Sequence, residues 1–482
     1  MKRYDVAVIG AGFGGLATAL SLAERGAKVV VSERLNYPGG CASTFTRGGA
    51  RFESGATLFS GLGPGQLFET WVRRHNLDVS WSTLDPVVEL RTPGWSLEVP
   101  SDRHAWVERM ASLDPARADG VRGFFALQGK VADALWALLS DPAMLPPLSP
   151  GALLRHASRV PAYLPILPWI SKPLEAALRH HGLADFEPMR VFADAVSQIT
   201  VQASAAEAEA PFAMSTMDYF FRGTGHIEGG IGALAWGLVR AIENLGGEVR
   251  LADAVKGMRQ DEWGWCLNTR RGAIHADTVV ANLLPQTACA LSGITPRGRM
   301  KRLAKQVESG WGAVMLYLVI DPAACPREAP FHLELVQDPN APFVEGNHLF
   351  VSVSGAGEAR APDGRRTATV STHVAMDRVS PERVASIQAH MRKGLASLAP
   401  VLHAGIEREM TASPRTFERF TGRHRGFVGG VPRRFGLDGY RDLWPSPVAP
   451  NLYLVGDTVF PGQSTLATAL GGQRLAEHLA AL

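Results

Sequence analysis

The segment that decides the fold is DVAVIGAGFGGLATALSLAERGAKVVVSE, residues 5–33. Residues 5–9 form a short β-branched run, which predicts a buried strand. Residues 14–25 place apolar side chains at helical spacing. Residues 28–32 predict a second buried strand. Strand, helix and strand together occupy about 30 residues, the length of one βαβ unit.

The turn after the first strand carries a glycine fingerprint. Glycines stand at 10, 12 and 15, the spacing of G-x-G-x-x-G. Gly10 permits a tight turn, Gly12 lets a pyrophosphate approach the backbone, and Gly15 lets the helix pack closely on the strand. The N-terminus of the helix offers free N–H groups to phosphates. Glu33 ends the second strand, where an acid accepts hydrogen bonds from the two hydroxyls of a ribose. The unit predicts a dinucleotide site, but Glu33 does not separate FAD from NAD.

A second glycine pair favours FAD. The segment NYPGGCAST, residues 36–44, follows the ribose-binding strand. Gly39 and Gly40 would let the chain run beside a long extended ligand, whereas an ordinary turn is the alternative interpretation. Residues 55–58, GATL, offer a tight apolar approach, so we expect Thr57 to lie near a flavin ring.

The third segment is LYLVGDTVFPGQST, residues 452–465. A strand that ends in Gly456-Asp457 places a carboxylate where ligands of open α/β sheets bind. Asp457 is a candidate acceptor for a ribityl hydroxyl. The following helix begins near Ser464, and its free N–H groups suit the pyrimidine edge of a reduced flavin. Ser464 is equally well placed as a helix N-cap.

Size and composition exclude several classes. A chain of 482 residues is long enough for two or three domains. The net charge of +3 does not indicate nucleic acid. No C-x-x-C pair occurs, so the cysteines indicate neither a metal site nor a disulfide framework, and they suit a reducing cytosol. These scattered cysteines are Cys41, Cys266, Cys289 and Cys325.

The sequence predicts no membrane-spanning segment. No apolar run reaches the ~20 residues that cross a bilayer. The short run from Val6 is interrupted by glycine and is not a signal peptide. We therefore expect a cytoplasmic protein, either soluble or peripheral on the inner face of the membrane.

Residues 119–225 differ in composition from the segments around them, because prolines cluster there between apolar and basic residues. This pattern predicts short helices broken by proline. Within this region, residues 141–182 suit the entrance to a binding site that rests on a bilayer. The alternative is a helical cap folded onto the domain. The apolar residues proposed to meet lipid are Leu164, Ile166, Leu167, Trp169 and Ile170.

The remainder predicts a second α/β region. Helices are expected at 234–245, 381–398 and 464–482, and strands at 248–251, 265–269, 278–281, 311–321, 366–377 and 452–455.

The chain resembles the carotenoid desaturase and carotenoid isomerase flavoproteins, the phytoene desaturase-like family. It is most similar to the isomerase and C-3′,4′-desaturase branch, which shares the GD-x-x-FPGQ-S ending. The resemblance is weak across 119–225. The segments that carry it are VAVIGAGFGGLATALSLAERG (6–26), PGGCASTFTRGGARFESGATLFSGL (38–62), GGIGALAWGLVRAIENLGGEV (229–249), ERFTGRHRGFVGG (418–430) and NLYLVGDTVFPGQSTLATALGG (451–472).

This resemblance implies a set of FAD contacts. The glycine turn would hold the ADP phosphates, Glu33 and Arg34 the adenosine ribose, and Val255 the adenine. The family often has a basic residue where Cys41 stands. The implied cofactor residues are Gly10, Ala11, Gly12, Phe13, Gly14, Gly15, Glu33, Arg34, Gly40, Cys41, Thr57, Val255, Gly456, Asp457, Gln463, Ser464 and Thr465.

The resemblance also implies the architecture. It predicts an α/β, FAD-binding Rossmann-like domain of the glutathione reductase and amine oxidase type, with a discontinuous α+β substrate domain and a helical lid. The FAD domain would comprise 1–78, 226–290 and 446–482. The substrate domain would comprise 79–118 and 291–445, and the lid 119–225.

The implied activity is FAD-dependent desaturation or cis/trans isomerisation of a lipophilic polyene, with oxygen or a quinone as possible electron acceptor. A flavin amine oxidase and a non-catalytic carotenoid-binding protein are the alternatives. No residue is assigned a catalytic role. The polar candidates near recognisable segments, which we expect to be structural or exposed, are His226, His348, His373 and Glu418.

Overall fold

The computed structural model describes residues 3–145, 148–441 and 447–481. The strands are β1 (Arg3–Ile9), β2 (Val29–Ser32), β3 (Thr44–Arg47), β4 (Ala50–Glu53), β5 (Trp81–Thr83), β6 (Val88–Arg91), β7 (Ser96–Val99), β8 (Gly225–Ile227), β9 (Glu248–Arg250), β10 (Val255–Asp261), β11 (Gly264–Thr269), β12 (Gly272–Ala281), β13 (Trp311–Ile320), β14 (Phe331–Val336), β15 (His348–Val353), β16 (Arg366–Ala375), β17 (Ile406–Ala412), β18 (Pro447–Ala449) and β19 (Leu452–Leu454).

The helices are α1 (Phe13–Ala23), α2 (Leu67–Arg74), α3 (Arg103–Ser112), α4 (Ala118–Leu139), α5 (Pro150–Ser158), α6 (Val160–Tyr163), α7 (Leu174–His180), α8 (Glu187–Thr200), α9 (Ala210–Met217), α10 (Ile231–Asn244), α11 (Pro285–Ser292), α12 (Gly298–Glu308), α13 (Pro381–Leu398), α14 (Pro400–Ala404), α15 (Pro414–Thr421), α16 (Asp438–Arg441) and α17 (Thr465–Ala480).

The first sheet has a parallel centre in the order β19-β12-β1-β2-β9. Its central strands are buried on both faces, as parallel sheets require. Val6 and Val8 of β1 pack against α1, α10 and α17. Ala7 and Ile9 face the opposite layer, which contains side chains of α11 and α12. The βαβ unit and the α/β, Rossmann-like fold predicted from the sequence are therefore confirmed.

An antiparallel meander extends this sheet. β11 pairs with both β10 and the first half of β12, while the second half of β12 pairs with β19. A single long strand thus joins the meander to the parallel centre.

The second sheet has seven strands in the order β17-β13-β16-β15-β14-β6-β7. The predicted strands at 311–321 and 366–377 are confirmed as β13 and β16, and they lie side by side. One face packs against α13 through residues such as Leu316 and Leu395. The other face, which includes Met315 and Phe350, turns towards the helices and a large cavity.

Residues 118–225 are largely helical and share one apolar core with part of the second sheet. The prediction of short helices throughout is wrong for α4, which has 22 residues. Its sequence contains no proline, and the clustered prolines begin only at Pro142, so nothing interrupts its helical hydrogen bonds. The predicted division into domains stays a prediction. None of the helices in the described ranges combines the length and apolar character needed to cross a bilayer.

Candidate functional site

A cavity of about 990 Å³ opens at the carboxyl ends of the parallel strands. Residues directly after β1, β2, β12 and β19 line one end of it, and the second sheet and the helices line the other. This is the position at which open α/β sheets bind ligands. The volume lies at the upper end of the roughly 300–1,000 Å³ found for small-molecule sites.

The glycine turn is packed too tightly for side chains. Gly10 has φ +96°, which favours glycine. A Cβ on Gly15 would lie 2.2 Å from the Gly10 carbonyl oxygen, and a Cβ on Gly14 would lie 3.2 Å from the Gly456 backbone. The turn therefore brings the start of α1 against β1 and against the Gly456 segment, leaving exposed backbone on the cavity side.

Asn282, which the sequence reasoning missed, packs against this turn and lines the cavity. It directly follows β12, and its backbone N–H donates to the Ile9 carbonyl at 2.9 Å. Its side-chain amide lies against the glycines, since a Cβ on Gly12 would be 2.6 Å from Nδ2. A position at the carboxyl end of a parallel strand was the available signal.

Glu33, directly after β2, lines the cavity and is 6% exposed. Its carboxylate accepts hydrogen bonds from the backbone N–H groups of Ala11, at 2.7 Å, and Leu35, at 2.8 Å. Burial raises the pKa of Glu33 above its usual value, and the two backbone donors oppose that shift. The side chain is therefore oriented before any ligand arrives. Arg34 and Val255 line the same cavity.

Arg423 supplies a cation at the middle of the cavity. Its Nη2 lies 2.8 Å from Oδ2 of Asp457, and both side chains are largely buried. Burial disfavours the charged guanidinium and is the largest single effect, but the charge of Asp457, its hydrogen bond and the nearby Cys41 together outweigh it and raise the pKa of Arg423. Burial raises the pKa of the Cys41 thiol, which therefore stays neutral. A positive charge thus stands beside Cys41, although Cys41 is not itself basic.

The start of α17 forms the third wall and is conformationally strained. Ser464 has φ +100° and ψ 158°, a region that is essentially confined to glycine. Its Oγ accepts a hydrogen bond from Ala467 N at 3.0 Å, so it is also the N-cap. Strain of this kind clusters at ligand-binding and active sites.

Gln202, from the helical region, is a second residue that sequence reasoning missed. It has φ +59°, and its Nε2 donates to the Val428 carbonyl at 3.0 Å. A Cβ on Gly429 would overlap this amide. The side chain is thereby held on the cavity wall close to Gln463.

Several polar atoms around this wall have no hydrogen-bond partner among the described residues. An unpaired buried polar atom costs about 1–3 kcal/mol, so several together indicate a polar ligand or ordered water. Both donors and acceptors are present, which suits the polar edge of a flavin ring. The residues with such atoms on the cavity are Ser60, Gln202, Gln463 and Thr465.

The part of the cavity that reaches towards the helices is mainly apolar. Tyr219 donates its hydroxyl to the Leu58 carbonyl at 2.6 Å, and burial raises its pKa, so it stays neutral. This part can therefore hold a hydrocarbon away from water. Its apolar lining includes Leu135, Leu138, Leu139, Leu145, Phe212 and Phe350.

The structure brings most of the predicted site residues to this cavity. Ala11 and Gly15 do not line it, because they pack behind the glycine turn. All the others do line it: Gly10, Gly12, Phe13, Gly14, Glu33, Arg34, Gly40, Cys41, Thr57, Val255, Gly456, Asp457, Gln463, Ser464 and Thr465. Their role in binding FAD stays a prediction.

Of the four polar candidates weighed from the sequence, only His373 lines the cavity. Burial lowers its pKa to about 4, so the imidazole is neutral near pH 7. His226 instead bonds Glu358 at 2.8 Å, and His348 faces Glu334 at 3.4 Å. Glu418 is exposed.

The chain is similar to several known proteins. A family model described as an NAD(P)-binding Rossmann-like domain matches residues 8–74. The chloroplastic prolycopene isomerase of Arabidopsis thaliana is 24% identical over 99% of this chain and 83% of its own length. A 4,4′-diapophytoene desaturase of a Methylomonas species is 23% identical over 98% of this chain and 94% of its own. The neurosporene-forming phytoene desaturase of Rhodobacter capsulatus is 37% identical over 24% of this chain and 23% of its own.

A solved structure shares the fold. Putrescine oxidase bound to putrescine superposes with a TM-score of 0.65 at 17% identity, covering 100% of both chains. At this identity the likeness concerns architecture alone. The predicted amine oxidase type of fold is confirmed.

Proposed function

From the full-length similarity of this chain to carotenoid desaturases and isomerases, we propose that it belongs with them and is an FAD-dependent oxidoreductase acting on a carotenoid or a related polyene. The observation that carries the proposal is the single cavity. It joins the glycine turn to an apolar chamber, and its wall includes unpaired polar atoms. An extended dinucleotide and a long hydrocarbon could meet there end to end.

The residues divide the binding of FAD among them. Glu33 would accept hydrogen bonds from the ribose, and the N-terminus of α1 would face the pyrophosphate. Arg423 would neutralise part of the phosphate charge while it holds Asp457 in place. The amides of Gln202 and Gln463 would contact the ring. When bound, FAD supplies a hydride acceptor for desaturation or, once reduced, an electron source for isomerisation.

The chain itself provides orientation and dryness. The apolar wall would hold the polyene in one register and exclude water, and positioning of this kind is worth up to ~7–11 kcal/mol in well-oriented cases. The conjugated substrate spreads developing charge over many carbons, so a strong base is not needed. Oxygen or a quinone is the proposed final acceptor in a desaturation.

Anaerobic reduction tests the proposal directly. An acyclic carotenoid should bleach the bound flavin, while putrescine and other amines should leave it oxidised. Bleaching by an amine alone would indicate an amine oxidase, and bleaching by neither would indicate a binding protein. Isomer-resolved chromatography with the flavin pre-reduced then separates isomerase from desaturase.

We also propose that the helical region rests on a membrane surface. Leu153, Leu154, Leu164 and Leu167 are all more than half exposed, and Leu154 reaches 74%. Arg155 lies among them. An apolar patch with basic residues suits the headgroup region of an anionic bilayer.

The residues chosen from the sequence for this contact need revision. Leu164 and Leu167 are exposed, but Ile166 is buried, and Trp169 and Ile170 pack against the helical core. The helical arrangement, which the residue pattern did not show, turns these three side chains inward. Leu153 and Leu154 on α5 take their place on the outer surface.

A further inference from the structure

Three side chains outside the cavity converge on the antiparallel meander. Asp261 ends β10, Cys266 lies on β11, and His275 lies on β12. A carboxylate oxygen, the sulfur and a ring nitrogen all lie within 4.8 Å of one another, and Cys266 Sγ is 3.9 Å from His275 Nε2. No other group of three such residues is found in ranges 3–145, 148–441 and 447–481.

Strand pairing imposes this juxtaposition. Cys266 stands directly opposite His275 on one side and Arg259 on the other. Asp261 lies two residues beyond Arg259 and so projects from the same face. Directly opposed residues in an antiparallel pair have Cβ atoms roughly 4.5–5.5 Å apart. The turn at Gly264 is held close to β12, because a Cβ there would lie 2.7 Å from the Ala276 carbonyl oxygen.

Among the described residues, the side chains of these three residues form no ion pair with a residue outside the group. One oxygen of Asp261 accepts from Trp263 N at 2.9 Å, and within the described part of the chain its carboxylate forms no ion pair. The nearby Asp277, by contrast, is paired with Arg3. Arg259 is the charged neighbour on this face, and it is exposed. Cys266 is only 6% exposed, so its sulfur is shielded from solvent.

We propose that Asp261, Cys266 and His275 bind one Zn²⁺ or a similar borderline divalent ion, with water as the fourth ligand. Sulfur, imidazole and carboxylate are the ligand types that zinc takes, and the thiolate disfavours Mg²⁺ and Ca²⁺. Zinc bond lengths of about 2.0–2.3 Å place two tetrahedral ligand atoms roughly 3.5 Å apart. The observed 3.9 Å between sulfur and nitrogen therefore requires only a small contraction. Metal binding releases the thiol proton of Cys266 to solvent.

Such an ion would tie together the three strands of the meander. β12 continues from His275 to Ala281, and Asn282, which packs against the glycine turn, follows directly. We expect the bound ion to stabilise this edge of the first sheet. The site does not depend on the proposed function, and it requires neither FAD nor a polyene.

Cobalt provides the test, since a Co²⁺–thiolate bond gives a charge-transfer band in the near ultraviolet. Full-length protein freed of metal is titrated with Co²⁺ and then with Zn²⁺. We expect one equivalent of Co²⁺ to produce the band and Zn²⁺ to remove it. Cys266→Ser and His275→Ala should abolish the band, and Asp261→Asn should weaken Co²⁺ binding at least tenfold. Cys289→Ser, which removes another buried thiol, is the matched control and should leave it unchanged.

A second measurement guards against misfolded variants. Circular dichroism establishes that each variant is folded, and His275→Gln offers a milder change at a partly exposed position. Zinc should raise the melting temperature of the wild type and of Cys289→Ser but not that of His275→Gln. The proposal is overturned if folded wild type gives no band, if the band survives Cys266→Ser, or if Cys289→Ser removes it.

Discussion

Arg423 and Asp457 form an ion pair of 2.8 Å on the wall of the cavity, joining the segment after α15 to the segment after β19. Cys41, from a third segment, lies close enough for both charges to affect the pKa of its thiol. The pair thus fixes an arginine and a carboxylate side by side on the wall of the cavity. Its geometry leads to the first prediction.

Removing Arg423 should weaken FAD binding. Arg423→Ala removes the cation proposed to meet the phosphates and leaves the carboxylate of Asp457 without its partner, so we expect the dissociation constant to rise about 10- to 100-fold. That corresponds to about 1.4–2.8 kcal/mol. Fluorescence titration of apoprotein with FAD measures the change. Arg425→Ala is the matched control, because Arg425 bonds the Met376 carbonyl outside the cavity. Equal affinity in Arg423→Ala and wild type would contradict the assignment.

The glycine turn should not tolerate even a methyl group at position 15. Gly15→Ala places a Cβ 2.2 Å from the Gly10 carbonyl oxygen. Overpacking of this kind costs typically 1–3 kcal/mol, and the turn must shift to relieve it. We expect a lower melting temperature and loss of yellow colour after purification. Gly357→Ala, at a position with open space, should change neither property. A Gly15→Ala protein that still binds a full equivalent of FAD would show that the turn does not hold the cofactor.

Two buried histidines should make stability fall in mild acid. Burial lowers the pKa of His373 to about 4 and that of His332 to about 3. Above about pH 6.5 both are neutral whether folded or unfolded. Below about pH 6.5 these histidines bind protons in the unfolded chain but stay neutral in the folded chain. The free energy of unfolding therefore decreases as the pH falls. The slope is up to about 1.4 kcal/mol per pH unit for each histidine.

Unfolding at pH 6.5, 5.5 and 4.5 checks this dependence. His373→Gln should reduce the loss of stability between these pH values, whereas His403→Gln on α14 should not. A wild type that is equally stable at all three pH values would refute the prediction.

The exposed leucines of α5 should control attachment to lipid. Two negative charges in the double variant Leu153→Glu and Leu154→Glu would oppose insertion into anionic headgroups. We expect the fraction that co-sediments with anionic vesicles to fall at least fivefold. The double variant Val401→Glu and Leu437→Glu changes two other side chains, each 64% exposed, and should sediment like the wild type. Equal loss in both variants would show that charge alone, not this surface, is responsible.

Local patterns were the parts of the fold that could be predicted. The βαβ unit, the central strands β13 and β16 and the helix α13 each follow from periodicity within a short segment. The uninterrupted length of α4 was missed, because the prolines beyond its end led to a prediction of short helices for the whole region. Gln202 could not be identified, since its importance comes from a strained backbone and from Gly429, which is remote in sequence.

By itself, the sequence determined that residues 5–33 form a glycine-turn βαβ unit and that Gly456-Asp457 ends a buried strand. Those features depend on neighbours within a few residues, which sterics and hydrophobic periodicity dictate. Only the tertiary structure decided that Arg423 faces Asp457, that Ile166 turns inward, and that Asp261, Cys266 and His275 meet. The first two depend on how segments distant in the chain pack together, and the third depends on the register of three consecutive strands. Before the packing and the register are known, the sequence does not show which arginine, leucine or cysteine makes such a contact.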